Sequence, residues 1–294
     1  MAFIAHENLA DDFTITSPSG FTVALPLANL RDRRLAKVGR VASGNEIVVR
    51  TDLGAGPTAL LPRVSLIAML NMNITTAKMY DNTGAGQGGV LTEVKASNVS
   101  MGSSDVLNLS QQVFDRGFTH QAKNGLVVLP APLQARYWQA RFVWDVDAIG
   151  VAQAGRFWLS DVWRFIDSGS DVGVDQGWSI SQKDPSVVRR SRGQQVYVDE
   201  KMRYRQLEFT ISQQVRQGVF GYDTAPYAND WKSLQEVLIQ AGQTGEVIIC
   251  PKEDPNDDQL VNRTSVYGTM VGDARITHTA GELFSASLSV QEAR

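Results

Sequence analysis

The dominant hydrophobic period along this chain is two, not 3.6. Short runs rich in Val, Ile, Leu, Phe and Trp are separated by Gly, Asn, Asp, Ser and Pro, the pattern of strands joined by turns. Ile47 to Gly54 reads as a strand ending in a glycine turn, and Pro57 and Pro62 bracket the connection after it. Val64 to Leu70 is nearly all apolar, which predicts a strand covered on both faces. Between Arg136 and Trp144 the alternation is clean. Trp138, Ala140, Phe142 and Trp144 fall on one face, and Tyr137, Gln139, Arg141 and Val143 on the other. Such a strand is half-buried with an aromatic core face. Asp145 to Gly150 predicts a turn, and Phe157 to Phe165 a further strand.

Two stretches break this pattern. Asp81 to Gly89 (DNTGAGQGG) is turn chemistry throughout and predicts an exposed, mobile loop. It lacks the Lys-Ser/Thr ending and the following helix that a phosphate-cradling loop needs. Asp167 to Gly173 (DSGSDVG) is polar and Gly-rich and cannot pack a core. The domain boundary is placed there, giving domains over 1–168 and 169–294. In the second half, Leu207, Phe209 and Ile211 alternate, as do Phe284, Ala286, Leu288 and Val290 against Ser285, Ser287 and Ser289. One helix stands out over about 230–241. Asn229 or Asp230 can cap its first turn, and Trp231, Leu234, Val237, Leu238 and Ala241 form an apolar stripe. Gly242 can take the left-handed cap conformation. Val247 to Cys250 then reads as a buried strand stopped by Pro251. The fold class is mainly β, with one helix laid on a sheet in the second domain.

Composition narrows the function. The 294 residues hold 28 Lys plus Arg and 31 Asp plus Glu, a net charge of −3. Binding to duplex nucleic acid needs a basic face, so no duplex partner is expected. Apolar residues at 43% and charged residues at 20% fit a folded chain and exclude disorder. One cysteine, Cys250, excludes an internal disulfide, a thiolate zinc cage and an iron–sulfur cluster. No apolar run approaches the length of a membrane span. The N-terminus lacks the basic start and long apolar core of a secretory signal. The chain is therefore expected to be made in the cytoplasm and to leave it only within a larger particle.

The chemistry-bearing residues form no catalytic constellation. His6, His120 and His278 contain no helical metal pair, and each reads as a surface residue. Cys250, between an apolar strand and Pro251, reads as a buried, inert thiol. Glu253 to Asp258 (EDPNDD) lacks the glycine and distal glutamate of a calcium loop and reads as a solvated connection. No G-x-S-x-G elbow occurs, and sequence alone cannot pair carboxylates for glycoside hydrolysis. No catalytic residue, metal or cofactor is assigned. Two basic clusters remain as candidate interaction surfaces: Arg31, Arg33, Arg34, Lys37 and Arg40, and Arg189, Arg190 and Arg192. They suit an acidic protein surface, a phosphate or an anionic polysaccharide. Solvated surface or inter-subunit salt bridges are the commoner uses of such clusters. Trp138, Trp144, Trp158 and Trp163 read first as core and second as a sugar platform.

Several segments, in order, carry a resemblance. Ala28-Asn29-Leu30-Arg31-Asp32, then Val38-Gly39-Arg40, then Asp52-Leu53-Gly54, then Ala135 to Ala140 (ARYWQA), then Gly155 to Asp161 (GRFWLSD) together resemble phage virion proteins with a discoidin-like, galactose-binding jelly-roll module. The family's usual Trp after the Val is Gly39 here. The remainder resembles the ring-forming domain of phage tail and baseplate proteins. It does so through Tyr204 to Phe209, the helix from Asp230, Gly245 to Ile249, Arg263 to Gly268 and the serine-alternating last strand. The resemblance implies an N-terminal jelly-roll sandwich and a tail-tube-like C-terminal domain. It also implies a non-enzymatic virion component such as a distal tail protein, assembled in the host cytoplasm. Its expected partners are further copies in a ring and other tail or baseplate proteins. A cell-surface glycan is the partner if the jelly-roll module binds sugar, which makes a carbohydrate-binding adhesion protein the alternative function.

Overall fold

The computed structural model describes residues 2–18, 22–54, 61–74, 90–98, 107–114, 123–164, 178–192, 194–215, 234–252, 261, 264–272, 275–281 and 283–293. The expected loop at 81–89, the boundary at 167–173, the acidic run at 253–258, His120 and the first turn of the expected helix lie outside them. The fold is mainly β. In chain order the strands are β1 (Phe3–Ala5), β2 (Ile15–Thr16), β3 (Val23–Leu25), β4 (Gly39–Val41), β5 (Glu46–Asp52), β6 (Arg63–Leu70), β7 (Val90–Ser97), β8 (Leu107–Phe114), β9 (Gly125–Gln134) and β10 (Tyr137–Trp144). They continue as β11 (Gln153–Ala154), β12 (Arg156–Ser160), β13 (Trp163–Arg164), β14 (Ser179–Lys183), β15 (Val187–Arg190), β16 (Val196–Asp199) and β17 (Tyr204–Val215). The helix α1 (Leu234–Ala241) follows, then β18 (Glu246–Cys250), β19 (Val266–Met270), β20 (Arg275–Ala280) and β21 (Leu283–Glu292).

The chain divides into two compact units. One is Glu7–Val162 with Glu253–Arg263, and the other is Met1–His6, Trp163–Lys252 and Thr264–Arg294. The expectation kept 1–168 together. Instead β1 pairs with β13 and with β18, in the sheet of the C-terminal unit. A three-residue strand carries too little pattern to say which sheet it joins, and that choice is tertiary.

The N-terminal unit is sandwich-like. A five-stranded antiparallel sheet, β2-β5-β10-β7-β8, and a three-stranded sheet, β12-β6-β9, share one core, with a small third sheet β11-β4-β3. Trp138, Ala140, Phe142 and Trp144 of β10 all turn inward, as their alternation demands. Ile67 and Met69 of β6, Val127 of β9 and Phe157 and Leu159 of β12 join the same core. Val64 to Leu70 is buried on both faces, as its unbroken apolar run predicted.

The C-terminal unit is built on the sheet β13-β1-β18-β19-β21-β17-β14, with β20 also paired to β21. Helix α1 buries Leu234, Val237 and Ala241 against one face, where Leu207, Phe209, Ala286, Leu288 and Val290 pack. Gly242 has φ +49° and its amide bonds the Leu238 carbonyl at 3.0 Å, the glycine cap read from the sequence.

Candidate functional site

A two-stranded ribbon in the C-terminal unit is the surface with the clearest chemistry. β14 and β17 run antiparallel until Lys183 faces Tyr204. The two strands then leave the sheet together. Arg203 Nε donates to Asp184 at 2.8 Å, and the Lys201 amide donates to Ser186 Oγ at 2.9 Å. Beyond this root, β15 and β16 pair only with each other, with Val188 opposite Val198, Arg189 opposite Tyr197 and Arg190 opposite Val196. The Ser191 amide bonds the Gln195 carbonyl at the turn. Every residue of both strands is exposed. Because facing residues share a side, one face carries Val188, Arg190, Val196 and Val198. The other carries Val187, Arg189, Tyr197 and Asp199. Arg189, Arg190 and Arg192 form no ion pair among the described residues. At the root, hydrogen bonds from the Ser186 side chain and amide, then from Arg203, lower the Asp184 carboxyl to about 2.

The other basic cluster lies in the N-terminal unit and is partly spent on itself. Asp32 takes Arg34 at 2.8 Å and Lys37 at 3.0 Å. These bonds, Arg34's side chain first, hold the Asp32 carboxyl far below the ordinary carboxylate range. The Arg31 guanidinium turns inward to the Asp11 carbonyl. Arg156, fully buried, meets both Asp11 carboxylate oxygens at 2.7 Å and also the Arg31 carbonyl. Of the five cations, Arg34 and Lys37 share Asp32 and Arg31 turns inward, while Arg33 and Arg34 are exposed and Arg40 is half-buried on β4. Gly39 of β4 is buried, and a Cβ there would sit 3.0 Å from Leu30 Cγ. A side chain at that position would require Leu30 and Leu27 to shift.

The outer face of β5, β10 and β7 is polar and paired. Arg136 forks Asp52 at 2.8 and 2.9 Å and its guanidinium lies 4.6 Å from the Tyr137 ring centre. Arg50 reaches Gln139, and Arg141 bridges Glu46 and Glu93. Arg136 draws the Asp52 carboxyl below its ordinary value. The four tryptophans considered as a sugar platform are all buried. Trp138 donates to the Ala135 carbonyl, Trp144 to Asn73 and Trp158 to Ser160. Of the two readings, the core one is correct.

Cys250 is buried and unbridged. Among the described residues no group of His, Cys, Asp and Glu is placed to hold a metal ion, and no helix is long and apolar enough to cross a membrane. Sequence reasoning picked out Arg189, Arg190 and Arg192 but missed the valines and Tyr197 around them. The signal was present: VVRR and VYVD are two β-rich runs separated by five residues that include Gly193, a hairpin signature.

No protein-family model matches the chain, and no curated protein sequence matches it. Among solved structures, similarity is found to the carbohydrate-binding module CpGH89CBM32-6 of Clostridium perfringens, at 14% identity over 53% of this chain and 99% of that one, with a TM-score of 0.34. CBM32-1 from a family 31 glycoside hydrolase of the same organism matches at 8% identity over 53% and 99%, TM-score 0.36. Chitosan-binding module 1 from a chitosanase/glucanase of Paenibacillus sp. IK-5 matches at 15% identity over 53% and 100%, TM-score 0.34. Likeness at these scores does not decide between functions.

Proposed function

We propose that this chain is a non-enzymatic building block that joins further copies of itself, in the manner of the phage tail-tip and baseplate proteins its motifs resemble. The observation that carries the reading is the β15–β16 ribbon. A two-stranded ribbon standing alone is marginal in water. One that exposes Val188, Val196, Tyr197 and Val198 at 60, 54, 58 and 54% is an aggregation hazard unless something covers it. A protein surface does that, and an assembly subunit supplies such a surface in every neighbour. The test is electron microscopy and light scattering of the purified chain over a range of concentrations. Rings, stacks or filaments with a mass that is a multiple of 32.2 kDa support the reading. A monomer at every concentration overturns it.

A second reading gives the N-terminal unit a glycan ligand. What favours it is the outer face of β5 and β10, where Tyr137 lies among the planar hydrogen-bonding groups of Arg136, Asp52, Gln139 and Arg50. A glycan array decides it: binding that Tyr137→Ala removes supports a sugar site on this face, and silence across the array rejects it.

A further inference from the structure

We infer that the ribbon of one copy seats in a groove on the C-terminal unit of a second copy, making a head-to-tail contact; this rests on the assembly reading above. Ten large apolar side chains are exposed among the described residues, and eight of them belong to the C-terminal unit. Six of the eight lie on the ribbon or its root: Val187, Val188, Val196, Tyr197, Val198 and Met202. The other two are Ile239, 71% exposed, and Val271, 42% exposed. Val271 lines a depression on the sheet face away from α1, and Ile239 lines a second on the α1 side. One, of about 450 Å³, crosses β17 and β21 between Glu208, Thr210, Ser287, Ser289 and Val271. The other, of about 300 Å³, lies between α1 and β20 and is lined by Leu238, Ile239 and Ile276. Met270 and Gly272 belong to both walls.

The charges match as well. Glu208 is bonded by Gln206 Nε2 at 2.9 Å and meets no Lys or Arg among the described residues. The ribbon brings Arg189, Arg190 and Arg192, equally without ion pairs. Seated across β17 and β21, the valine face covers Val271, and Arg190, on that same face, reaches Glu208. A cation–carboxylate pair in such a partly dry site fixes register as well as adding affinity.

The ribbon cannot fill its own groove. β14, which leads into the ribbon, starts at Ser179 in the groove wall and runs away from Glu208, so that about 40 Å of extended chain, at about 3.3 Å per residue, separates Ser179 from the ribbon's turn. Folding back would break the β14–β17 ladder. The occupant is therefore another chain, and a second copy carries both complementary halves. Ribbon and groove are different surfaces, so the contact is heterologous and propagates into a ring or a filament.

The test uses the full chain with two charge reversals. One variant carries Arg189→Glu, Arg190→Glu and Arg192→Glu; the other carries Glu208→Arg. Light scattering of the wild type should show assembly, and each variant should need at least about tenfold more protein to assemble, the weight of a lost charge pair. Mixed in equal amounts, the two variants should assemble again. The reversed ribbon of one then faces the reversed groove of the other, and the remaining ribbon and groove keep their native charges. If the wild type assembles but Glu208→Arg assembles equally well, or the mixture stays dissociated, the groove assignment is wrong while the assembly reading stands. A wild type that never assembles overturns both.

Discussion

Arg205 on β17 and Glu292 at the end of β21, each next to the paired Gln206 and Gln291, form an ion pair of 2.7 Å with 3% of each side chain exposed. Glu292 also accepts from the Arg205 Nε at 2.8 Å and its backbone amide at 3.0 Å, and Arg205 donates to the Ser265 carbonyl at 3.1 Å. The pair thus ties the C-terminal strand to the ribbon-bearing strand. Breaking a buried pair leaves a bare charge, which costs far more than the pair itself contributes. Glu292→Gln should lower unfolding stability by about 3–5 kcal/mol, measured by urea titration. The double variant Arg205→Met with Glu292→Gln should lose less than the single one. A single-variant cost under about 1 kcal/mol would mean the pair is solvated.

The parts of this fold that sequence made legible are those where one residue's neighbours decide its state. Trp138 to Trp144 alternate because β10 has one wet and one dry face, and Gly242 ends α1 because the cap needs positive φ. The pairing of β1 with β18, the meeting of Arg205 with Glu292 and the inward turn of Arg31 each join residues tens to hundreds of positions apart. No local period encodes them. The basic cluster at Arg31–Arg40 was legible only as charge: Asp32's grip on Arg34 and Lys37 is a matter of turn geometry. The candidate site was half legible, since Arg189, Arg190 and Arg192 stood out by charge while the exposure of the valines beside them depends on the ribbon leaving its sheet.

Among the described glycines, Gly268 on β19 has the tightest backbone neighbour. A Cβ there would fall 1.8 Å from the Gln291 carbonyl oxygen and 2.7 Å from its carbon. Backbone cannot rotate away as a side chain can, so Gly268→Ala must push β19 off β21. The expected loss is at least about 1–3 kcal/mol, the range for overpacking, read as a lower denaturation midpoint. Gly272→Ala, whose Cβ would meet nothing within 4 Å but whose φ is +76°, should cost less, about 1 kcal/mol. Equal losses at the two positions would reject the steric argument.

The root of the ribbon should respond to acid. Asp184 titrates at about 2 against an ordinary value of 3.8, because Ser186 and then Arg203 hold its charged form. A lowered carboxyl contributes stability that is complete above its unfolded value and is lost as pH falls through its folded one. The bonds at Ser186 and Arg203 should therefore hold above about pH 4 and loosen toward about pH 2. Amide resonances of Ser186 and Lys201 should shift across that window in wild type and stay flat in Asp184→Asn. Flat wild-type resonances would show that the carboxylate does not organise the root.

Asp32 offers a test of the other basic cluster. Its bonds to Arg34 and Lys37 lie in solvent, where such pairs contribute little to stability. Asp32→Asn should leave the thermal midpoint unchanged yet release two cations beside Arg33. On a heparin column the variant should elute at distinctly higher salt than wild type. Unchanged elution would show that the turn presents no usable positive surface even when its internal carboxylate is removed.

The ribbon's valines should matter for association and not for folding. Val188 and Val198 face each other at 60 and 54% exposure, so replacing them removes almost no apolar burial within one copy. Val188→Lys with Val198→Glu retains β pairing through a cross-strand charge pair, and the unfolding free energy should change by no more than about 0.5 kcal/mol, the usual span for surface sites. If instead these valines packed against the body of their own chain, losing two buried side chains would cost about 1.5–3 kcal/mol each. Self-association should respond in the opposite sense. The same substitution would force two charges against Val271 of the neighbour, and a charge buried without a partner is strongly unfavourable. Calorimetry and light scattering on one preparation separate the two effects. An unchanged melting curve with lost assembly is the expected result, and a lowered melting curve would return the ribbon to the fold of its own chain.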